Sequence, residues 1–168
     1  RSRELVDGAG ADRIVAAWAE IIEAPPGLNA RPARIEDASQ LFDWRNEPSV
    51  RKVSRTRNEL SWDSHVAWVA AAVANPEVCL LIAEMDGAPA GTVRFHALDP
   101  LNWEVSITVG ANMRGRRLAG PMLHEAERFF CSKYPGKTLH AAMLASNQPS
   151  LRLFQAAGYT GGLSRIDN

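Results

Sequence analysis

The residues with the clearest chemical meaning lie between positions 103 and 120. Trp103-Glu104-Val105-Ser106-Ile107-Thr108-Val109 reads as an extended segment, and Arg114-Gly115-Arg116-Arg117-Leu118-Ala119-Gly120 as a basic, glycine-containing turn. A helix then follows from Gly120 to about Cys131. A helix N-terminus leaves backbone N–H groups unpaired and carries partial positive charge, so a turn that aims those donors outward makes an anion site. Arg114, Arg116 and Arg117 add cationic donors that a pyrophosphate would complement. The pattern therefore predicts a phosphate-bearing ligand at this turn. Further along, Asn147 stands at the end of a strand, where its amide offers both donor and acceptor.

Charge balance narrows what that ligand is. Nineteen basic and nineteen acidic side chains cancel, so the molecule exerts no long-range pull on nucleic acid or on an anionic membrane. A local basic cluster on a neutral chain favours a small anion over a polyanion. Cys79 and Cys131 are far apart and lack metal-ligand spacing; they read as buried, reduced thiols of a cytoplasmic protein, with no metal implied. No apolar run approaches the length of a membrane span, and the start of the chain lacks a signal-peptide core. Arg1, in place of a methionine, suggests either a trimmed chain or a piece of a longer polypeptide.

The elements that must position these residues follow from periodicity and breakers. Residues 12–23 align Ile14, Val15, Trp18, Ile21 and Ile22 on one helical face with Asp12 as N-cap, and Ala24-Pro25-Pro26-Gly27 ends that helix. This divides the chain into an N-terminal helical extension and linker over 1–27 and a functional domain over 28–168. Within the domain, residues 28–33 predict an edge strand because of Pro32, and 36–45 a helix. A second helix runs from an N-cap at Ser61 to about Asn75. Residues 78–85 and 90–97 form strands joined at Asp86-Gly87, and 102–109 a third. After the basic turn and its helix come a strand at 138–144, a short helix at 149–157 ended by Gly158, and a final strand or tail from Tyr159. Trp44 and Trp68 read as core. The order predicts a mixed α/β fold whose largely antiparallel central sheet carries helices on both faces.

The sequence resembles the GNAT superfamily of acyl-CoA-dependent N-acyltransferases over residues 28 to about 160. One anchor is Val109 through Arg114, Gly115 and Ala119, similar to the family's R/Q-x-x-G-x-G/A turn. Arg114 and Ala119 match, whereas Arg117 stands in the place of the middle glycine, read here as a residue already in helical conformation. The other anchor, Asn147 through Ser150, Phe154, Gly158 and Tyr159, looks like N-x-x-S/A-x-x-L-Y/F-x-x-x-G-F/Y. A narrower similarity, in Asp43-Trp44-Arg45-Asn46-Glu47-Pro48-Ser49-Val50-Arg51 and Ser61-Trp62-Asp63-Ser64-His65, is to members acting on amino-sugar nucleotides in pseudaminic-acid-type pathways. Residues 4–13 are similar to the C-terminal end of that pathway's nucleotide-sugar hydrolase, which implies fusion to an upstream hydrolase.

The resemblance implies acetyl-CoA as co-substrate, a splayed strand pair, and roles for particular residues. Ile107 and Val109 would bond the pantetheine arm, and 114–120 (Arg114, Gly115, Arg116, Arg117, Leu118, Ala119, Gly120) would cradle the pyrophosphate. Asn147, Ser150 and Phe154 would contact the cofactor from the other strand. Glu104 is the expected general base and His96 its rival, while no acid is assigned because Phe154 replaces a frequent tyrosine and Tyr159 reads as a packing residue. Arg45, Asn46 and Arg51 could grip a nucleotide diphosphate, or serve only as caps and surface ion pairs. Trp62 and His65 would border the acceptor pocket. The implied activity is transfer of an acetyl group to the amine of an aminodeoxy-sugar nucleotide, by a monomer or homodimer. Alternatives are an acceptor that is a protein N-terminus, polyamine or antibiotic, and a non-catalytic CoA-binding module of a larger protein.

Overall fold

The computed structural model describes residues 8–14, 24–54 and 56–160. A six-stranded sheet runs in the order β1-β6-β5-β4-β3-β2, built from β1 (Gly8–Ile14), β2 (Leu28–Pro32), β3 (Val78–Met85), β4 (Ala88–Ala97), β5 (Asn102–Val109) and β6 (Thr138–Leu144). Neighbours pair antiparallel except β5 and β6, which are parallel because α4 (Ala119–Lys133) crosses over between them. The helices α1 (Ala38–Asn46), α2 (Pro48–Lys52) and α3 (Trp62–Ala74) follow β2, and α5 (Gln148–Ala156) follows β6. The mixed, largely antiparallel sheet with helices on both faces is thus observed.

Period-two alternation sorts the two faces. Leu81, Val93, Phe95, Trp103 and Val105 pack against Leu123, Ala126 and Phe130 of α4 and Phe154 of α5. Phe95 and Phe130 stack at 4.4 Å, and Trp103 meets Phe130 edge-on at 5.1 Å. On the opposite face Leu80 and Ile82 bury against Leu41 and Trp44 of α1 and Val69 and Ala72 of α3. There α3 begins as expected, with the Ser61 hydroxyl accepting from the Ser64 N–H. Asp86 and Gly87 adopt φ of 53° and 78°, the paired left-handed residues of a tight hairpin turn. β2 is an edge strand, and Ala33 extends it with an N–H bond to the Leu80 carbonyl.

Three expectations are corrected. Residues 12–14 belong to β1, paired with 138–140 of β6, rather than to a helix capped by Asp12; the remainder of that helix, 15–23, lies outside the described residues. Trp68 is not core: it is 41% exposed, with the Arg94 guanidinium 5.8 Å from its ring centroid. Cys79 is buried, and that burial raises its thiol pKa to about 11, but Cys131 is only half-buried. Trp44, by contrast, is core.

Candidate active site

The parallel pair opens partway along its length. Residues 102–105 of β5 register with 138–141 of β6, and among the described residues no strand pairs with 106–109 on that side. Backbone alternation decides what faces the opening. Gly110 N–H bonds the Ala90 carbonyl across β4, so even-numbered residues of β5 turn their backbone groups toward β4. Odd-numbered ones turn toward β6, as Leu101 does by accepting from Thr138 N–H. Ile107 and Val109 therefore present backbone groups to the gap.

Below the gap lies the turn into α4. Gly115 has φ 75° and Arg117 φ 58°, and α4 begins only at Ala119. Arg117 is therefore not helical, contrary to expectation. It holds the left-handed conformation that explains a glycine at this place, at a cost of about 1 kcal/mol for a residue with a Cβ. No side chain caps α4, which leaves its first-turn donors to another partner. A Cβ built on Gly115 or Gly120 would meet nothing within 4 Å, so the turn is open. Arg116 and Arg117 are exposed and Leu118 is buried beneath them. Arg114 differs from its neighbours: it makes a two-pronged ion pair with Glu47 at 2.5 and 2.7 Å. Its Nε also donates to the Val109 carbonyl at 3.1 Å.

Across the gap, the Asn147 side-chain oxygen accepts from the Ser150 N–H at 3.3 Å, capping α5 and leaving the amide nitrogen out of the cap. Ser150 is half-buried at that corner. Phe154 is instead a core residue, 4% exposed and edge-on to Tyr159 at 4.9 Å. Tyr159 packs as expected, its hydroxyl donating to buried Glu127 at 2.6 Å. Tyr134, the chain's other tyrosine, donates to the Pro76 carbonyl at 3.2 Å. Both phenols are therefore committed elsewhere in the fold.

The sheet face toward α1 and α3 carries a polar row. The registers align His96, Glu104 and His140 across β4, β5 and β6. Glu104 is buried one residue before the strands part, whereas His96 is exposed. His140, a residue that sequence reasoning missed, is 5% exposed, with Nε2 2.8 Å from the Asn102 side-chain oxygen. Asn102 Nδ2 donates to Asp99, which fixes the amide's orientation and makes His140 Nε2 the donor.

A second polar group sits where α1, α2 and α3 meet. Asn46 grips Leu60 through both ends of its amide, at 2.8 and 3.0 Å, and Arg45 Nη2 donates to the Thr56 carbonyl at 2.7 Å. Arg51 reaches Glu59 at 3.8 Å. Asn46 is thus a structural clamp, as its capping alternative anticipated. The two arginines are not fully used: Arg45 Nη1 and Arg51 Nε are buried with no partner among the described residues. His65 is 2% exposed; Nε2 donates to the Ala38 carbonyl at 3.0 Å, and Nδ1 is a third buried atom without a described partner. Burial lowers the Arg45 and His65 pKa values, with the Arg51 charge pressing on Arg45 and the Arg45 charge on His65. Phe42 packs edge-on against half-exposed Trp62 at 5.3 Å, and lies 5.3 Å from His65.

A family model described as an acetyltransferase (GNAT) domain matches residues 28–160. The chain belongs to the GNAT acetyltransferase family. No curated protein sequence matches it. Among solved structures, spermidine N-acetyltransferase from Vibrio cholerae, with CoA and spermine, superposes with a TM-score of 0.72 at 12% identity, over 80% of this chain and 81% of that one. An aminoglycoside acetyltransferase, AAC(6')-Ib, in complex with coenzyme A gives 0.66 at 16%, over 82% and 91%. The protein yncA from Salmonella typhimurium, with acetyl-CoA, gives 0.64 at 21%, over 80% of each. At these identities the likeness is one of fold. Among the described residues of this GNAT domain, no cluster of potential metal ligands occurs, and no helix is long and apolar enough to cross a membrane.

Proposed function

We propose that this GNAT domain transfers the acetyl group of acetyl-CoA to the primary amine of an aminodeoxy-sugar nucleotide. What carries the acceptor assignment is a trio of buried polar atoms at the α1–α3 corner with no partner among the described residues: two guanidinium nitrogens and one imidazole nitrogen. An unmade hydrogen bond on a buried charged donor costs a few kcal/mol, so such a site is built for an arriving partner. Arg45 and Arg51 suit a diphosphate, the lone pair of His65 Nδ1 suits a hydroxyl or N–H, and the exposed Trp62 ring offers a nucleobase a stacking surface. A polyamine or aminoglycoside is a polycation, and two underused arginines disfavour it. The pseudaminic-acid type of acceptor, proposed from the similarity of residues 43–51 and 61–65, goes with the proposal, from residues 4–13, that the transferase over 28–168 is joined through residues 1–27 to an upstream hydrolase.

The donor fit rests on the gap and the open turn. Acetyl-CoA supplies an activated thioester. Backbone groups of Ile107 and Val109 bond its pantetheine arm as an added strand would, and an N–H there polarises the carbonyl to be attacked. The turn at 114–120 and the uncapped start of α4 hold the pyrophosphate, Arg116 and Arg117 supplying charge. Asn147, with Ser150, contacts the arm from the β6 side. Glu104 takes the proton from the acceptor's ammonium, directly or through water; His96 is the solvent-side alternative. The departing thiolate takes its proton from water, since both tyrosine hydroxyls are engaged elsewhere.

The deciding experiment is thiol release from acetyl-CoA over amino-sugar nucleotides, spermidine, an aminoglycoside and N-terminal peptides. Turnover is expected on the amino-sugar nucleotide, with UDP competing against it. Turnover confined to polyamines or peptides, or thiol release indifferent to UDP, would overturn the acceptor assignment.

A further inference from the structure

Glu47 belongs to neither half of the proposed site by position, yet it touches both. It is the corner residue between α1 and α2: its N–H closes α1 on the Asp43 carbonyl, and its own carbonyl accepts from Val50 and Arg51 N–H at 3.0 Å each. Its chain neighbours are therefore the acceptor-side residues Arg45, Asn46 and Arg51. Its carboxylate points the other way in sequence terms, gripping Arg114 across 67 positions with both oxygens. Ser49 closes the group into a ring, donating to Glu47 at 2.6 Å and accepting from Arg114 at 3.0 Å. Arg114, held this way, donates through Nε to the carbonyl of Val109, the last residue of the splayed strand. The hydrogen bonds from Arg114, then that from Ser49, hold the Glu47 carboxyl below its usual range, and the Arg114 charge acts in the same direction.

We propose that Glu47 is a positioning residue for the donor site, acting through Arg114 to fix the end of β5 and the start of the pyrophosphate turn relative to the α1–α2 corner. The guanidinium of Arg114 is then a strut, and the phosphate-facing charge comes from Arg116 and Arg117. This rests on the donor reading given above and adds to it a residue outside both sequence anchors. A bidentate guanidinium–carboxylate pair fixes orientation as well as distance, which a lone surface charge could not do.

The test is calorimetric titration with CoA, together with initial rates in acetyl-CoA, on the full chain and on Glu47→Ala, Glu47→Gln and the exchanged pair Glu47→Arg with Arg114→Glu. Loss of a half-exposed but bidentate pair should raise the CoA Kd and the acetyl-CoA KM about fivefold in Glu47→Ala, and kcat should change by less than about twofold. The isosteric Glu47→Gln should show a smaller rise of the same kind, and it serves as the measurement if the alanine variant folds poorly. The exchanged pair should fail to recover the loss, because a carboxylate at position 114 remakes the ion pair but cannot donate to the Val109 carbonyl; full recovery would overturn the strut. CoA binding by the unaltered chain that Glu47→Ala and Glu47→Gln leave intact overturns the role of Glu47 alone. Absence of CoA binding by the unaltered chain overturns the donor reading, and the role of Glu47 with it.

Discussion

The proposed donor and acceptor sides of this GNAT domain are made of different material. The donor side is chiefly backbone: strand edges at Ile107 and Val109, an open turn through Gly115, and an uncapped helix start. The acceptor side is chiefly side chains, held by bonds to carbonyls at Thr56, Leu60 and Ala38. A backbone site depends on conformation, so its residues can vary while its shape persists. A side-chain site depends on identity, so single substitutions should redirect it. The two should therefore respond to mutation in separable ways.

Glu104 lies where they meet, and its loss should be felt most. Glu104→Gln is expected to lower kcat about 10²- to 10⁴-fold with both KM values little changed, measured by thiol release across pH. An unchanged kcat in that variant, with a large fall in His96→Ala, would move the base to β4. On the acceptor side alone, Arg45→Met should raise the acceptor KM roughly 10- to 100-fold and leave the acetyl-CoA KM within about twofold, because a charged hydrogen bond contributes about 1.5–3 kcal/mol. Equal rises in both would break the proposed separation. On the donor side, Arg117→Gly should stabilise the fold by about 1 kcal/mol by removing a side chain from the left-handed region. The melting temperature should rise a few degrees while CoA affinity falls a few-fold through the lost charge.

The smallest effect is one of pH, and it too separates the sides. The His65 pKa is depressed, so the unfolded chain takes up a proton below its ordinary 6.5 while the folded chain resists it. Stability from this acceptor-side group is full above 6.5 and falls as pH drops through the lower, folded value. Glu47, near the donor turn, is depressed from 4.5, so its contribution is retained until pH falls below that point. Thermal melts from pH 8 to 3 should show a shallow loss starting near 6.5, absent in His65→Gln, before a steeper acid limb.

Much of the strand and helix order was legible because continuous apolar runs such as 78–85 and breakers such as Asp86-Gly87 act locally. What escaped notice depends on partners distant in sequence. Asp12 to Ile14 read as the first turn of an amphipathic helix over 12–23, and only their pairing with β6 decides for a strand. Trp68 shares the apolar character of α3 but faces Arg94 rather than the core. Arg117 looked helical because charge and helix propensity are visible in a sequence and a φ of 58° is not. His140 needed the parallel register that sets it beside Glu104, and Glu47 needed Arg114 to be brought across 67 positions. The two anchors mark the proposed donor side, since glycine and asparagine signal backbone geometry directly. On the acceptor side they could not distinguish the clamp at Asn46 from the underused guanidinium of its neighbour Arg45.

The short parallel contact between β5 and β6 has a consequence for how the sheet breathes. The register joins them only over 102–105 and 138–141, so the β1–β6 pair is fastened to the remaining strands through a narrow seam. Amides along that seam should exchange with deuterated solvent sooner than those of the long β3–β4 ladder, whose pairing runs from Val78 to Met85. A ligand laid into the opening would complete the missing ladder and slow that exchange. Occupancy of the donor site would then be recorded as mechanical cohesion of the whole sheet.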